Sequence, residues 1–144
     1  MVKQAIFDIS ERLRHAGVAA TLQRLAIGEV LLKHPIHLRA DEVHDRVREF
    51  LPDVSRATVY NTLKIFREAG LVKELVVDAE RIVFDSNTEP HYHLYNVDTG
   101  AVLDVSADEL QVVGSPQLPN GLELEQVDVI IRVRNNPLDS PSKQ

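Results

Sequence analysis

The chain has no cysteine and no tryptophan among its 144 residues, and a single methionine. Without cysteine there are no disulfides, no thiolate-held zinc and no cysteine nucleophile. Any metal must therefore be held by imidazole, carboxylate or backbone oxygen. No apolar run approaches the roughly 18 residues that a membrane span needs, and the N-terminus lacks a leader-peptide pattern. A cytoplasmic protein with no membrane partner is the expectation. A hydrophobic content of 44% and a charged content of 26% are ordinary for a globular chain. The length suits one ordinary domain or two small ones.

Positive charge is scarce overall, with a net of −6, but the scarcity is uneven. Residues 1–84 hold 13 Lys/Arg against 12 Asp/Glu, a net of +1, whereas residues 85–144 hold 3 against 10, a net of −7. DNA affinity follows local basic patches more than the whole-chain sum. The first half can approach a phosphate backbone, and the second half suits a cation.

The stretch from Ser55 to Gly70 reads as one complete helix. Ser55 is an N-cap whose hydroxyl can accept from a free N–H of the first turn, and Gly70 stands where a left-handed residue ends a helix. At about 100° per residue, Val59, Thr62, Leu63, Phe66 and Ala69 share an inward face. Arg56, Tyr60, Lys64 and Arg67 fall within an arc of about 80° on another side. Guanidinium forks read guanine edges, and a Tyr ring can contact a thymine methyl, so such a stripe suits the major groove.

The flanking chain gives this helix its setting. Helices are expected over Lys3–Ala16, over Leu22–Lys33 behind a Thr21 cap, and from Asp41 and Glu42 to Phe50/Leu51. After Gly70 the period changes. Leu71–Val77 and Arg81–Phe84 read as a β-hairpin. Helices followed by a hairpin directly after a basic helix make a winged helix-turn-helix. The expected fold class is therefore α+β, with an N-terminal winged helix-turn-helix domain over 1–84. A polar hinge follows over 85–90, then a small α/β dimerisation and metal-sensing domain over 91–134. A disordered tail over 135–144 ends the chain.

Within the second domain, His91–Val97 and Ala101–Val105 are strands joined through Asp98-Thr99-Gly100. Ser106 to Glu109 matches a capping box and predicts a short helix to about Val113. Leu122–Arg134 is expected to form one long strand. About 55 residues are too few to bury a satisfactory core alone. Pairing with a second copy would cure the deficit and cover the edge strand, so a homodimer is expected. A two-fold axis also suits DNA half-sites arranged as an inverted repeat.

His91 and His93 stand at i, i+2 on a strand and share a face. Asp104 lies near His93 if the hairpin closes around 98–100, although a one-residue slip would turn it away. Asp85 closes the wing hairpin at the hinge, and His37 follows a proline-containing break. Three imidazoles and two carboxylates suit iron(II), manganese(II) or, less distinctively, zinc. His15, His34 and His44 have no acidic or His partner at ligand spacing and are expected to be surface or cap residues. Two His and carboxylates also describe the facial triad of a small non-haem iron enzyme, but the short second half leaves little room for a substrate pocket. A winged-helix protein without metal is the remaining reading.

The pattern resembles the ferric uptake regulator family of metal-responsive repressors, from about Leu13 to Arg134. Its carriers are Arg14 to Gly17, Thr21 to Arg24, His37 to Asp41, Ser55 to Leu63, Glu68 to Leu71, Phe84-Asp85 and His91 to His93. The resemblance implies a dimeric repressor, not an enzyme, that binds inverted repeats in double-stranded DNA. It assigns DNA contacts to Arg56, Thr58, Tyr60, Asn61, Lys64 and Arg67, with Tyr60 matching the residue that touches bases. It assigns a regulatory Fe(II) or Mn(II) site to His37, Asp85, His91, His93 and Asp104. Aspartate at 85 and 104 matches the peroxide-sensing branch, in which oxidation of a ligand histidine, here His37 or His91, releases DNA. The paired Cys-x-x-Cys motifs that hold a structural zinc in many relatives are absent. The tail also resembles the cysteine-free iron response regulators, which sense iron or haem status. Tyr92 stands where those often carry a third histidine, which weakens the haem reading.

Overall fold

The computed structural model describes residues 2–78 and 80–138, with side chains from Asp8 onward. It is α+β, and the chain divides into two compact units between Thr88 and Glu89. The last six residues of the expected disordered tail, 139–144, lie outside the described residues.

The first unit contains α1 (Val2–His15), α2 (Leu22–Leu31), β1 (His37–Arg39), α3 (Ala40–Val47), α4 (Arg56–Glu68), β2 (Lys73–Asp78) and β3 (Arg81–Asp85). Thr21 caps α2 by accepting from the Arg24 N–H. Glu42 reaches back to accept from the Arg39 N–H at 3.0 Å at the start of α3. Leu13, Ile27, Leu31, Val43, Val47, Val59, Leu63 and Phe66 meet in one core and are fully or almost fully buried. Burying each such side chain contributes about 1.5–3 kcal/mol, so the inward face of α4 is fixed by packing. Gly70, at φ 76°, terminates α4. The turn is closed by the Leu71 N–H donating to the Phe66 carbonyl at 2.9 Å.

Several boundaries differ from the sequence reading, and α2 ends at Leu31 instead of Lys33. Helix α3 stops at Val47, and Phe50 is 56% exposed in the following turn instead of continuing the apolar face. The segment after Pro35 forms β1, which pairs antiparallel with β3 and completes a sheet of order β1-β3-β2. Three residues carry no usable periodicity, so this strand exists only because β3 offers it an edge. β3 runs through Asp85, and Ser86 stays with the first unit through its N–H to the Ile36 carbonyl at 3.0 Å.

The second unit contains β4 (His91–Asn96), β5 (Val102–Ser106) and β6 (Ile130–Val133). β4 is central, antiparallel to β5 and parallel to β6. The hairpin closes where expected. Asn96 Oδ1 accepts from the Asp98 and Thr99 N–H groups, and Gly100 takes φ 79°.

Two expectations fail here. Half of the capping box forms, with the Ser106 N–H reaching Glu109 Oε2 at 3.3 Å, while the Ser106 hydroxyl accepts from the Asp108 N–H at 3.1 Å and not from that of Glu109. No helix follows; residues 107–109 are a turn. Val112 and Val113 are exposed, at 50% and 84%, and a short helix without a face to bury is unstable. The long strand over Leu122–Arg134 is reduced to Ile130–Val133. Leu122 and Leu124 alternate properly but, like Val127, are about 60% exposed. Among the described residues they have no ladder partner, and alternation without one does not make a strand.

Candidate metal centre and nucleic-acid interface

Helix α4 is set by its cap and its core. Ser55 Oγ accepts from the Thr58 N–H at 3.0 Å and donates to Thr58 Oγ1 at 2.9 Å. Thr58 Oγ1 is therefore an acceptor within the cap, and the residue is half-exposed. Arg56, Tyr60, Asn61 and Lys64 are exposed, Tyr60 by 57%. Arg67 is held differently, its Nε lying 3.2 Å from Glu74 Oε2 on β2. Between α4 and the wing runs an open groove of about 620 Å³, lined by Tyr60, Asn61, Lys64 and Arg67 on one side and Glu74, Ile82 and Phe84 on the other. The stripe read from the helical wheel is thus one surface, but Glu74 neutralises its last member. Glu74 was invisible to the sequence reading because its partner comes from another element.

The expected metal donors fall in both units. In the first, β1 and β3 set His37 directly opposite Asp85. Directly opposed residues of an antiparallel pair project to the same face. Asp85 is buried, and its Oδ1 accepts from the Asn87 N–H at 2.9 Å.

In the second unit the register left open by the sequence is resolved, with His93 opposite Asp104 and His91 opposite Ser106. The Nε2 atoms of His91 and His93 lie 3.5 and 3.6 Å from the same Asp104 oxygen. The two rings are 4.5 Å apart, edge to face. The His91 Nδ1 donates to the Glu89 carbonyl at 2.6 Å, which leaves the Nε2 lone pair toward Asp104. An imidazole fixed through one nitrogen to a carbonyl is how metal-binding histidines are usually oriented. Separations of 3.5–3.6 Å are too long for hydrogen bonds and suit donors gathered around a cation. The set is all nitrogen and oxygen, which fits iron(II) or manganese(II).

The remaining histidines divide. His15 is exposed, 3.8 Å from Glu11, and His34 is exposed as expected. His44 departs from expectation and is buried, its Nε2 3.0 Å from the Val54 carbonyl. Ala40, Val43, His44 and Val47 follow i, i+3, i+4, i+7, so the apolar arc of α3 already contained it.

Known proteins resemble this chain in sequence and in fold. The ferric uptake regulator family pattern matches residues 15–132. The peroxide-responsive repressor PerR of Staphylococcus aureus is 38% identical over 101 residues, covering 70% of this chain and 68% of that protein. The ferric uptake regulator of Pseudomonas aeruginosa, solved with manganese, superposes with a TM-score of 0.65 at 29% identity, over 88% of this chain and 96% of that one. The Francisella tularensis regulator, solved with iron, gives 0.65 at 25% identity, over 83% and 92%. No helix among the described residues is long and apolar enough to cross a membrane. The chain belongs to the ferric uptake regulator family of metal-responsive transcriptional regulators.

Proposed function

We propose that the protein is a homodimeric, metal-dependent repressor that binds an inverted-repeat operator and releases it on exposure to peroxide. The observation that carries the reading is the convergence of two imidazole nitrogens on one Asp104 oxygen in the second unit, together with the His37–Asp85 pair in the first. Each half-set is an incomplete ligand shell. His37 and Asp85 from one unit, with His91, His93 and Asp104 from the other, would complete it around one Fe(II) or Mn(II).

A cation shared in this way would favour one orientation of the DNA-binding unit over others, which is a population shift driven by differential affinity. Bound iron(II) supplies the electrons that reduce peroxide, whereas manganese(II) does not undergo that reaction. His37 and His91 are the oxidation-sensitive positions: an imidazole that gains an oxygen atom is a poorer donor, and its half of the grip weakens. Arg56, Tyr60, Asn61 and Lys64 then lose their common pose on the duplex.

The dimer is supported by the second unit's own composition. Among the described residues its buried apolar side chains are Tyr95 and Val105, while Leu103, Val113, Leu122, Leu124 and Val127 are 58–84% exposed. So much exposed apolar surface on so small a unit marks an interface.

The test is to select a duplex with the manganese-loaded protein, reload with iron(II), add peroxide, and follow binding and peptide masses together. The reading expects DNA release with one oxygen atom added to the peptide bearing His37 or His91, and retention of DNA by the manganese form. Retained binding with unmodified histidines rejects peroxide sensing.

A further inference from the structure

Among the described residues, His44 is the buried titratable side chain that the metal site and the DNA stripe both leave unused. It is 8% exposed, on the core face of α3 between Val43 and Val47. Its Nε2 lies 3.0 Å from the carbonyl of Val54, and its Nδ1 is buried with no hydrogen-bond partner. Val54 immediately precedes Ser55, the N-cap of α4. The other bond holding this residue is local, from the Val54 N–H to the Leu51 carbonyl at 3.1 Å.

A carbonyl cannot donate, so the proton of this bond is on Nε2, and the ring gives up any partner at Nδ1 to keep it there. Leaving a buried nitrogen unsatisfied is costly, and a leucine at this position would have avoided the cost. The ring therefore serves its one bond.

We propose that His44 is a positioning residue for DNA recognition, a tether from α3 that fixes where α4 begins. The core contacts of Val59, Leu63 and Phe66 fix the axis and rotation of α4 from its second turn onward. The first turn, where Ser55, Arg56 and Thr58 lie, is held instead by the Ser55 cap, by Val54 where it packs against the core, and by the tether, which alone joins it to α3 through a side-chain hydrogen bond among the described residues. Arg56 approaches a duplex in register only when that turn is closed. At the opposite end, the Arg67–Glu74 pair is more than a third exposed on one side, at 39% and 31%, and exposed ion pairs hold little. The N-terminal bond is the stronger constraint on the helix.

The DNA part of this inference rests on the reading proposed above, whereas the tether itself is measurable without DNA. Nitrogen-15 spectra of the wild-type ring should show the Nε2–H tautomer, and an Nδ1–H tautomer overturns the proposal. In the full-length protein, His44→Leu keeps an apolar side chain and removes the donor, while His44→Gln returns an N–H near the Nε2 position. Loss of one such bond should open the first turn about fivefold to tenfold more often. The Leu variant should thus lose hydrogen-exchange protection at Val59, whose N–H reaches the Ser55 carbonyl, and keep it at Phe66. Affinity for a duplex selected with wild-type protein should fall by a similar factor, with manganese affinity unchanged, and the Gln variant should recover most of both.

Protection lost evenly along α3 and α4, or no recovery in the Gln variant, shows a merely structural histidine and overturns the proposal. If wild type selects no duplex but the Val59 result holds, the DNA reading fails and the tether stands.

Discussion

Gly28 lies in the middle of α2, facing α1, and its replacement by alanine pits two effects of similar size against each other. Alanine is about 1 kcal/mol better than glycine in a helix interior. A Cβ at position 28 would, however, lie 2.6 Å from Ile9 Cγ2, a separation that cannot be kept. Ile9 is 3% exposed and sits within the core, and a β-branched side chain in a helix has one strongly preferred rotamer. Overpacking of this kind costs about 1–3 kcal/mol. The expected outcome for Gly28→Ala is a net loss of about 1 kcal/mol, against the gain that propensity alone would give. Every helix of the described residues is in the first unit, so urea melts followed by circular dichroism at the helical minimum report on that unit. Ile9→Leu moves the branch away from Cβ and removes the offending methyl. The double variant Ile9→Leu/Gly28→Ala should recover stability, with a coupling of about 1 kcal/mol or more between the two sites. A Gly28→Ala protein more stable than wild type would show that Ile9 gives way freely and would refute the argument.

Further outcomes follow from α4 and its neighbours. Ser55→Ala removes the cap on the Thr58 N–H and should destabilise the first unit by about 1 kcal/mol in the same melt. Lys64→Ala should weaken binding to every duplex alike and lower the slope of log affinity against log salt by about 1, whereas Arg56→Ala should also relax sequence preference. Glu74→Gln should leave stability within about 0.5 kcal/mol, as expected for a surface ion pair. It frees Arg67, and so should raise duplex affinity at low salt and steepen the salt slope; no change in slope would mean that Arg67 does not face phosphate.

What could be read beforehand depended on whether the information was local. The four helices, the wing hairpin and the basic stripe follow from caps, a 3.6-residue period and the shift to β-branched residues after Gly70. The turn was legible from Asp98-Thr99-Gly100, but the register that sets His93 against Asp104 was not, because a one-residue slip leaves the local pattern intact. β1 was not legible, because three residues after a proline show no pattern until β3 supplies an edge. The helix after Ser106 and the strand before Ile130 failed for the complementary reason. Their local signals were sound, but no described residue of the unit buries Val113, Leu122 or Leu124. His44 was misjudged by residue type, although its spacing with Val43 and Val47 already placed it inward. Glu74 carried no signal at all, because an ion pair between elements is a property of packing.

The claim that both units supply ligands to one cation is tested most directly by growing crystals of the full chain with manganese and locating the metal by its anomalous scattering. The account predicts one site per protomer, with imidazole and carboxylate ligands from His37 or Asp85 together with His93 or Asp104. A metal held by donors of one unit alone, with the other unit's pair turned away, would contradict it.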